Sequence, residues 1–183
     1  GLAYFASEKG RILSEMSVTR FAENEFWLIF SAGAYWHDRD LLTAALPADS
    51  AITLQDETRA YSTFLVTGPR SRKLLTALSK DDFGNNAFPW LTHKSVTVAG
   101  VKMTALRVSF TGEMGWELHL PVAETEAVYN ALHAAGQDVN LKPFGMLALN
   151  SMRLEKGYRS WKGDLTSDYN LFDCGLGRWV HLS

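Results

Sequence analysis

One carboxylate stands out in the stretch TGEMGWELHLP, residues 111–121. The stretch begins with a glycine-punctuated turn, ends on a proline, and alternates between them like a short strand. Trp116 and Leu118 would point to one face of that strand, and Glu117 and His119 to the other. If the second face lines a cavity, Glu117 is a buried charge that needs a partner, as is typical of functional sites. If that face is open to water, Glu117 is an ordinary surface residue.

A second candidate group is an arginine near the end of a predicted helix. Asn150 and Arg153 lie three positions apart in a mostly apolar stretch, so they share one helix face. A buried arginine at this place needs an anion, either Glu117 or a carboxylate of a ligand. The alternative is a surface pair of Arg153 with Glu155 or Asp164, which would stabilise little. The sequence alone favours the surface pair.

The remaining polar residues suggest little chemistry. His37 and Asp38 are adjacent at the start of a predicted helix, which favours a satisfied polar pair over a catalytic dyad. The 5 histidines are scattered without metal-ligand spacing, and the single cysteine, Cys174, is predicted to be a small buried apolar side chain. The sequence has neither a dinucleotide fingerprint nor a phosphate-binding loop. It therefore predicts no metal site, and no FAD or ATP held by this chain.

Composition narrows the class of protein. The chain has 183 residues, of which 46% are hydrophobic, enough for one well-buried core or for two small subdomains sharing one. Lys and Arg number 18 against 20 Asp and Glu, and no basic cluster occurs, so no nucleic-acid partner is expected. No apolar run approaches the roughly 20 residues of a membrane span. These features predict a soluble, intracellular protein without a membrane partner.

The elements that would position these groups combine strands and helices. The first part of the chain predicts a hairpin over 14–33, a helix over 35–46, strands over 51–57 and 60–68, and a helix over 69–78. The second part predicts a loop over 80–90, a three-stranded antiparallel meander that ends in the Glu117 strand, and helices over 122–136 and 143–157. Strands followed by helices favour an α+β fold with antiparallel sheets and packed helices.

Several of these segments together resemble a known family. GPRSRKLL, SFTGEMGWELHLP, LNSMRLEKGYRSWKGDLT and CGLGRWV are similar to motifs of the folate-binding aminomethyltransferase family. That family contains the T-protein of the glycine cleavage system and the tetrahydrofolate domain of sarcosine and dimethylglycine dehydrogenases. The stretches AGAYWHDRDLL and AYSTFLVTGPRSR resemble the dehydrogenase-fused branch more than the free-standing T-protein.

The resemblance implies a tetrahydrofolate site and assigns residues to it. Glu117 would accept two hydrogen bonds from the pterin ring, from N3–H and from the 2-amino group. Phe110, Trp116 and Trp161 would supply aromatic walls for the flat rings. Arg153 matches a ligand-site arginine of the family and would suit a folate carboxylate or steady Glu117.

The chain departs from the family pattern at two places. The family has an aspartate in a pattern like GG-x-x-x-D-x-T-V, where this chain reads KGRILSEMSV. Glu15 therefore takes the place of the proposed catalytic aspartate, and Ser17 that of the threonine. Glutamate can act as a general base, but a misplacement of about 1 Å can cost ~10²-fold in rate. The family tyrosine before T-G-E is Phe110 here, so one hydroxyl is missing.

The resemblance also implies how the chain is organised. A partial first subdomain would cover 1–49 and a second subdomain 50–183, both parts of one folate-binding domain truncated at both ends. The chain would then be a piece of a dehydrogenase-fused protein, cytoplasmic or, in a eukaryote, in the mitochondrial matrix.

The expected activity is tetrahydrofolate-dependent one-carbon transfer that gives 5,10-methylenetetrahydrofolate. A separate flavin oxidase domain, the expected partner, would oxidise sarcosine or dimethylglycine and would hold the FAD. The alternatives are a T-protein-type aminomethyltransferase served by a lipoyl carrier protein, a non-catalytic folate-binding module and a structural domain. The chain lacks the KGCYxGQE motif of relatives linked to iron–sulfur maintenance, which counts against the module.

Overall fold

The chain folds into two compact units in a computed structural model that describes residues 1–49, 51–177 and 180. Unit 1 combines the described residues of 1–55 with those of 159–183, and unit 2 is Asp56–Tyr158. The first boundary lies between residues 55 and 56, whereas the expected one lay between residues 49 and 50. The C-terminal segment, however, groups with unit 1, because the backbone N–H of Ile12 donates to the carbonyl of Tyr169 at 3.1 Å.

Unit 1 contains a three-stranded antiparallel sheet in the order β1-β2-β3. Its elements are β1 (Leu2–Ala6), β2 (Ile12–Ala22), β3 (Glu25–Phe30), a 3-10 turn (Ala32–Ala34) and α1 (Tyr35–Ala45). The predicted hairpin is thus present as β2 and β3, and the predicted helix as α1. The predicted strand over 51–57 is wrong, since the residues of that range form no regular secondary structure.

A β-bulge decides which side chains of β2 share a face. Tyr4 pairs with Glu15 and Ala6 with Ile12, so the register shifts by one residue between Phe5 and Ala6. The extra residue on β2 reverses the alternation of the strand at this point. Ile12 and Glu15, three positions apart, therefore lie on the same face of the sheet.

Unit 2 contains a four-stranded antiparallel sheet in the order β4-β7-β6-β5. Its elements are β4 (Tyr61–Thr67), α2 (Ser71–Leu78), β5 (His93–Val98), β6 (Val101–Leu106), β7 (Gly115–Pro121), a 3-10 turn (Val122–Glu124), α3 (Thr125–Gly136), a 3-10 turn (Gln137–Val139) and α4 (Met146–Glu155). The predicted meander is β5 to β7, and β4 lies beside its last strand.

One face of this second sheet forms the core of unit 2. Trp116, Leu118 and Leu120 of β7 are all 0% exposed, and the indole of Trp116 meets the ring of Phe83 edge-on at 5.5 Å. Further core residues come from the other strands, from α2, from α3 and, for Phe88, from the loop before β5: Val66, Leu74, Leu75, Phe88, Val96, Val98, Met103, Ala105, Val128 and Leu132. The predicted α+β class, with antiparallel sheets and packed helices, is confirmed.

Within the described ranges, no helix has both the length and the apolar character needed to cross a bilayer.

Candidate functional site

Glu117 lies on β7, an inner strand of the second sheet. Its direct neighbours are Leu65 on β4 and Leu106 on β6. The side chain of Glu117 is 28% exposed, so its face of the sheet is partly covered rather than open or closed. Since neither leucine side chain can donate a hydrogen bond, the carboxylate has apolar flanks and a polar end that reaches solvent.

His119 follows two residues later on the same face and is only 5% exposed. Its Nδ1 lies 3.0 Å from the hydroxyl oxygen of Thr63 on β4. Its Nε2 lies 3.4 Å from Oε2 of Glu117, which is long for a hydrogen bond but within ion-pair distance. Thr63, His119 and Glu117 thus form a polar chain across two strands.

Arg153 is buried, with 5% of its surface exposed. Its Nε and Nη2 donate to Oδ1 of Asn150 at 2.8 and 2.6 Å, and its Nη1 donates to the carbonyl of Tyr158 at 2.9 Å. The predicted shared helix face of Asn150 and Arg153 is therefore confirmed. The expected surface position of Arg153 is wrong, because its guanidinium is buried and joins α4 to the turn that follows it.

Phe110 lies in the loop between β6 and β7 and is half-buried. The next residue, Thr111, is 1% exposed, and its hydroxyl lies 3.0 Å from that of Thr67 and 3.2 Å from that of Ser109. These hydroxyl contacts hold the loop against β4. They fix the backbone on which Phe110 is carried.

Glu15 lies in unit 1, on β2 and directly opposite Tyr4 on β1. Burial raises the pKa of the Glu15 carboxyl, and a hydrogen bond with the Tyr4 side chain lowers it in part. Burial, together with the Glu15 charge, also raises the pKa of the Tyr4 phenol. Ser17 is half-buried two residues further along, opposite Leu2, and shares the face of Glu15.

Trp161 also lies in unit 1 and packs against a small core of Ile12, Leu165 and Cys174. The Lys162 ammonium lies 4.8 Å from the centroid of its ring. Cys174 is 9% exposed, which confirms the predicted buried apolar role of its side chain. The indole of Trp161 thus has an apolar contact and a cationic one within its own unit.

His37 and Asp38 form the polar pair that the sequence favours. Nδ1 of His37 lies 2.8 Å from Oδ1 of Asp38, whose side chain is 0% exposed. The other oxygen of Asp38 has no hydrogen-bond partner among the described side chains and backbone groups. Among the residues that the structure describes, no group of three His, Cys, Asp or Glu side chains could hold a metal ion.

A cleft of about 540 Å³ lies along β4 in unit 2, and Leu65, directly opposite Glu117, is part of its lining. Among its lining residues are Leu65, Leu74, Leu132 and Leu149, and neither Glu117 nor Arg153 belongs to the lining. The lining contains no Asp or Glu, so the cleft has no acceptor pair for a ring with two neighbouring N–H donors. Chemistry therefore favours Glu117 over the cleft as the centre of the site.

Sequence reasoning proposed the carboxylates and missed the side chains that contact them. It placed His119 beside Glu117 without giving it a role, and it gave no role to Tyr4 or Thr63. The polar alternation of β7 could have pointed to His119. The contacts of Tyr4 and Thr63 depend on strand register, for which no local signal exists in the sequence.

The fold has a close counterpart among solved structures. The crystal structure of glycine cleavage system aminomethyltransferase T from Bartonella henselae matches with a TM-score of 0.79 and 24% identity, over 99% of this chain and 47% of that one. The chain therefore has the fold of a glycine cleavage T-protein. It matches the GCVT N-terminal domain over residues 1–183 and belongs to that family.

The chain is also similar to parts of two longer proteins. It is 33% identical to dimethylglycine dehydrogenase, mitochondrial, of Mus musculus over the whole chain and 21% of that protein. It is 33% identical to sarcosine dehydrogenase, mitochondrial, of Homo sapiens over 93% of the chain and 20% of that protein. The chain thus spans about one fifth of the length of these relatives.

Proposed function

We propose that the chain binds tetrahydrofolate and serves a one-carbon transfer that gives 5,10-methylenetetrahydrofolate, as the folate domain of a sarcosine or dimethylglycine dehydrogenase. The observation that carries this proposal is Glu117, a partly exposed carboxylate on an inner strand of a GCVT N-terminal domain. Similarity to two dehydrogenases of N-methyl amines supports the choice of donor.

Glu117 fits the pterin ring by its hydrogen-bonding pattern. A carboxylate accepts two parallel hydrogen bonds, and the pterin presents two neighbouring donors, N3–H and the 2-amino group. Leu65 and Leu106, directly opposite on the neighbouring strands, give the carboxylate apolar flanks that suit a flat ring. An amide at the same position would present one acceptor and one donor, and would lose one of the two bonds.

Other residues of the chain support binding. Arg153 contributes positive charge and holds Tyr158 at the end of α4 through the bond of its Nη1 to the backbone carbonyl. Phe110 and Trp161 are half-buried aromatic rings and serve as apolar walls. Ser17 supplies a hydroxyl at the place where the family has threonine.

Glu15 serves as the general base. Burial raises the pKa of its carboxyl, so Glu15 accepts a proton more readily than an exposed glutamate does. Tetrahydrofolate, when bound, supplies the nitrogen that accepts the one-carbon unit. Glu15 would take up the proton that this nitrogen loses, and the Tyr4 side chain, hydrogen-bonded to Glu15, holds the carboxylate.

The donor of the one-carbon unit comes from outside this chain. A flavin domain that binds FAD and oxidises the N-methyl amine is the proposed partner, and a lipoyl carrier protein is the alternative. The two dehydrogenase relatives carry the word mitochondrial in their names, which supports a place in the mitochondrial matrix if the source is a eukaryote.

The test is a calorimetric titration of anaerobic tetrahydrofolate into the chain and into Glu117→Gln. We expect micromolar binding that the substitution weakens by more than about tenfold, or ~1.4 kcal/mol. Glu155→Gln is the matched control, because Glu155 is an exposed glutamate on α4 of the same unit. Its affinity should equal that of the unchanged chain.

Two outcomes would count against the proposal. Equal affinities of the chain and Glu117→Gln would remove Glu117 from the site. Absence of binding to the unchanged chain, with an intact circular dichroism spectrum, would favour a structural domain that packs against a partner.

A further inference from the structure

A threonine, a histidine and a glutamate form a connected chain on one face of the second sheet. The Thr63 hydroxyl oxygen lies 3.0 Å from Nδ1 of His119, and Nε2 of His119 lies 3.4 Å from Oε2 of Glu117. Thr63 is exposed, His119 is buried, and the side chain of Glu117 is 28% exposed. The buried imidazole therefore connects two groups that reach the surface.

We propose that His119 is a positioning residue for Glu117, with Thr63 selecting the tautomer that turns Nε2–H toward the carboxylate. The inference rests on the proposed function insofar as Glu117 is the group that binds the ligand. It goes beyond that function in naming what sets the direction of the carboxylate before a ligand arrives.

The hydrogen-bonding capacity of the three groups supports this direction of the chain. A neutral imidazole has one N–H donor and one acceptor nitrogen, whereas an ionised carboxylate only accepts. The nitrogen that faces Glu117 must therefore carry the proton if it is to bind the carboxylate. Nδ1 is then the acceptor, and the Thr63 hydroxyl is its donor.

Neither neighbouring strand places a polar side chain directly opposite Glu117. The residues directly opposite are Leu65 and Leu106, whose side chains have no polar atom. A glutamate side chain has three rotatable bonds, so an untethered carboxylate would lose conformational freedom on binding a ligand. A hydrogen bond from Nε2–H to Oε2, which lie 3.4 Å apart, would remove part of that freedom in advance and leave further lone pairs on both oxygens for a bidentate ligand.

The first test needs no ligand. Long-range ¹H–¹⁵N NMR spectra at neutral pH distinguish the two imidazole tautomers, and we expect the proton of His119 on Nε2. Thr63→Val removes the hydroxyl at nearly constant volume and should shift the population toward the other tautomer. Thr104→Val is the matched control, since Thr104 lies opposite His119 on the other neighbouring strand, and it should leave the tautomer unchanged.

The second test separates positioning from packing. His119→Gln can place an amide nitrogen near the position of Nε2, whereas His119→Asn reaches only as far as Nδ1. We expect His119→Gln to keep tetrahydrofolate affinity within about threefold and His119→Asn to lose about tenfold or more. The ¹³C shift of the Glu117 carboxyl should move in His119→Asn and stay near its original value in His119→Gln.

The outcomes of the two proposals can be told apart. If the unchanged chain does not bind tetrahydrofolate, the proposed function fails, and the tautomer and the carboxyl shifts still decide the role of His119. A proton on Nδ1 in the unchanged chain would overturn the inference. Equal carboxyl shifts in His119→Gln and His119→Asn would overturn it as well, since both would then report only lost packing.

Discussion

Tyr4 on β1 lies directly opposite Glu15 on β2, and the side chains of the two residues are hydrogen-bonded. Two opposing effects act on the pKa of Glu15. Burial raises the pKa of the Glu15 carboxyl, and the bond to Tyr4 stabilises the ionised form and lowers that pKa in part. Tyr4 therefore adjusts the proton affinity of the group that we propose as the general base.

We expect Tyr4→Phe to raise the pKa of Glu15 further, because burial would then act without the compensating bond. The low-pH limb of the activity profile should move to higher pH, since a larger share of Glu15 would be protonated at a given pH. A ¹³C titration of the Glu15 carboxyl measures the shift directly. Tyr169→Phe is the control, because Tyr169 is an exposed tyrosine of the same unit; an equal shift in both variants would contradict the assignment.

We expect Glu15→Gln to raise the free energy of unfolding at neutral pH and to abolish one-carbon transfer. The folded-state pKa of Glu15 is raised above its ordinary value, so the protonated carboxyl favours folding. This contribution is fully present below the ordinary pKa and is lost as the pH rises through the folded-state pKa. The gain from Glu15→Gln should thus grow as the pH rises from acid to neutral, in urea denaturation at a series of pH values. A gain that is the same at every pH would show that the Glu15 charge is not its cause.

The periodicity of side chains within single segments predicted individual strands and helices. The alternation over β7 predicted a buried face, and Trp116, Leu118 and Leu120 are indeed 0% exposed. The spacing of apolar residues before Gly136 predicted α3, which ends at that glycine. In both elements, the periodicity of the side chains reflects contact with one core.

Contacts between distant parts of the chain escaped prediction. The pairing of Tyr4 with Glu15 depends on the register of β1 and β2, and the register shift at Phe5/Ala6 is not visible in the residue pattern. The membership in unit 1 of the described residues beyond Tyr158 depends on bonds such as that from the Ile12 N–H to the Tyr169 carbonyl. Such bonds join residues far apart in the sequence and leave no periodic signal.

The candidate site shows the same division. Glu117 and Glu15 could be proposed from the sequence because their residue types and flanking motifs can be read from the chain. The burial of Arg153 was not predicted, because it depends on which oxygen atoms accept the hydrogen bonds of the guanidinium in the folded chain. Asn150 supplies one acceptor three residues earlier and the Tyr158 carbonyl another beyond the end of α4, so amide and backbone oxygens accept three hydrogen bonds of the guanidinium.

We expect Leu118→Ala to lower the free energy of unfolding by about 2–5 kcal/mol, the usual cost of a cavity in a packed core. Leu118 is 0% exposed and lies on the core face of β7. Leu147→Ala on α4 is the matched control, because Leu147 is 90% exposed and its truncation should change stability by no more than about 0.5 kcal/mol. Urea denaturation followed by circular dichroism measures both. Similar losses in the two variants would contradict the assignment of β7 to the core.

The turn before β7 gives a further prediction. Gly112 has φ +70°, and a Cβ at this position would collide with the side chain of Lys156 just beyond α4. Gly112→Ala should therefore combine the cost of left-handed backbone, about 1–2 kcal/mol, with the displacement of Lys156. Gly157 also has φ +70° but nothing within 4 Å of its would-be Cβ, so Gly157→Ala isolates the backbone cost.

The difference between the two alanine variants thus measures the packing of the Gly112 turn on Lys156. We expect Gly112→Ala to be the less stable of the two in urea denaturation. Adding Lys156→Ala to Gly112→Ala should bring its free energy of unfolding close to that of Gly157→Ala. This recovery should occur because Cβ, Cγ and Cδ of Lys156 are the atoms that a Cβ at position 112 would meet, and the substitution removes two of them. If Lys156→Ala left the Gly112→Ala deficit unchanged, the deficit would come from backbone strain in the turn and not from the contact.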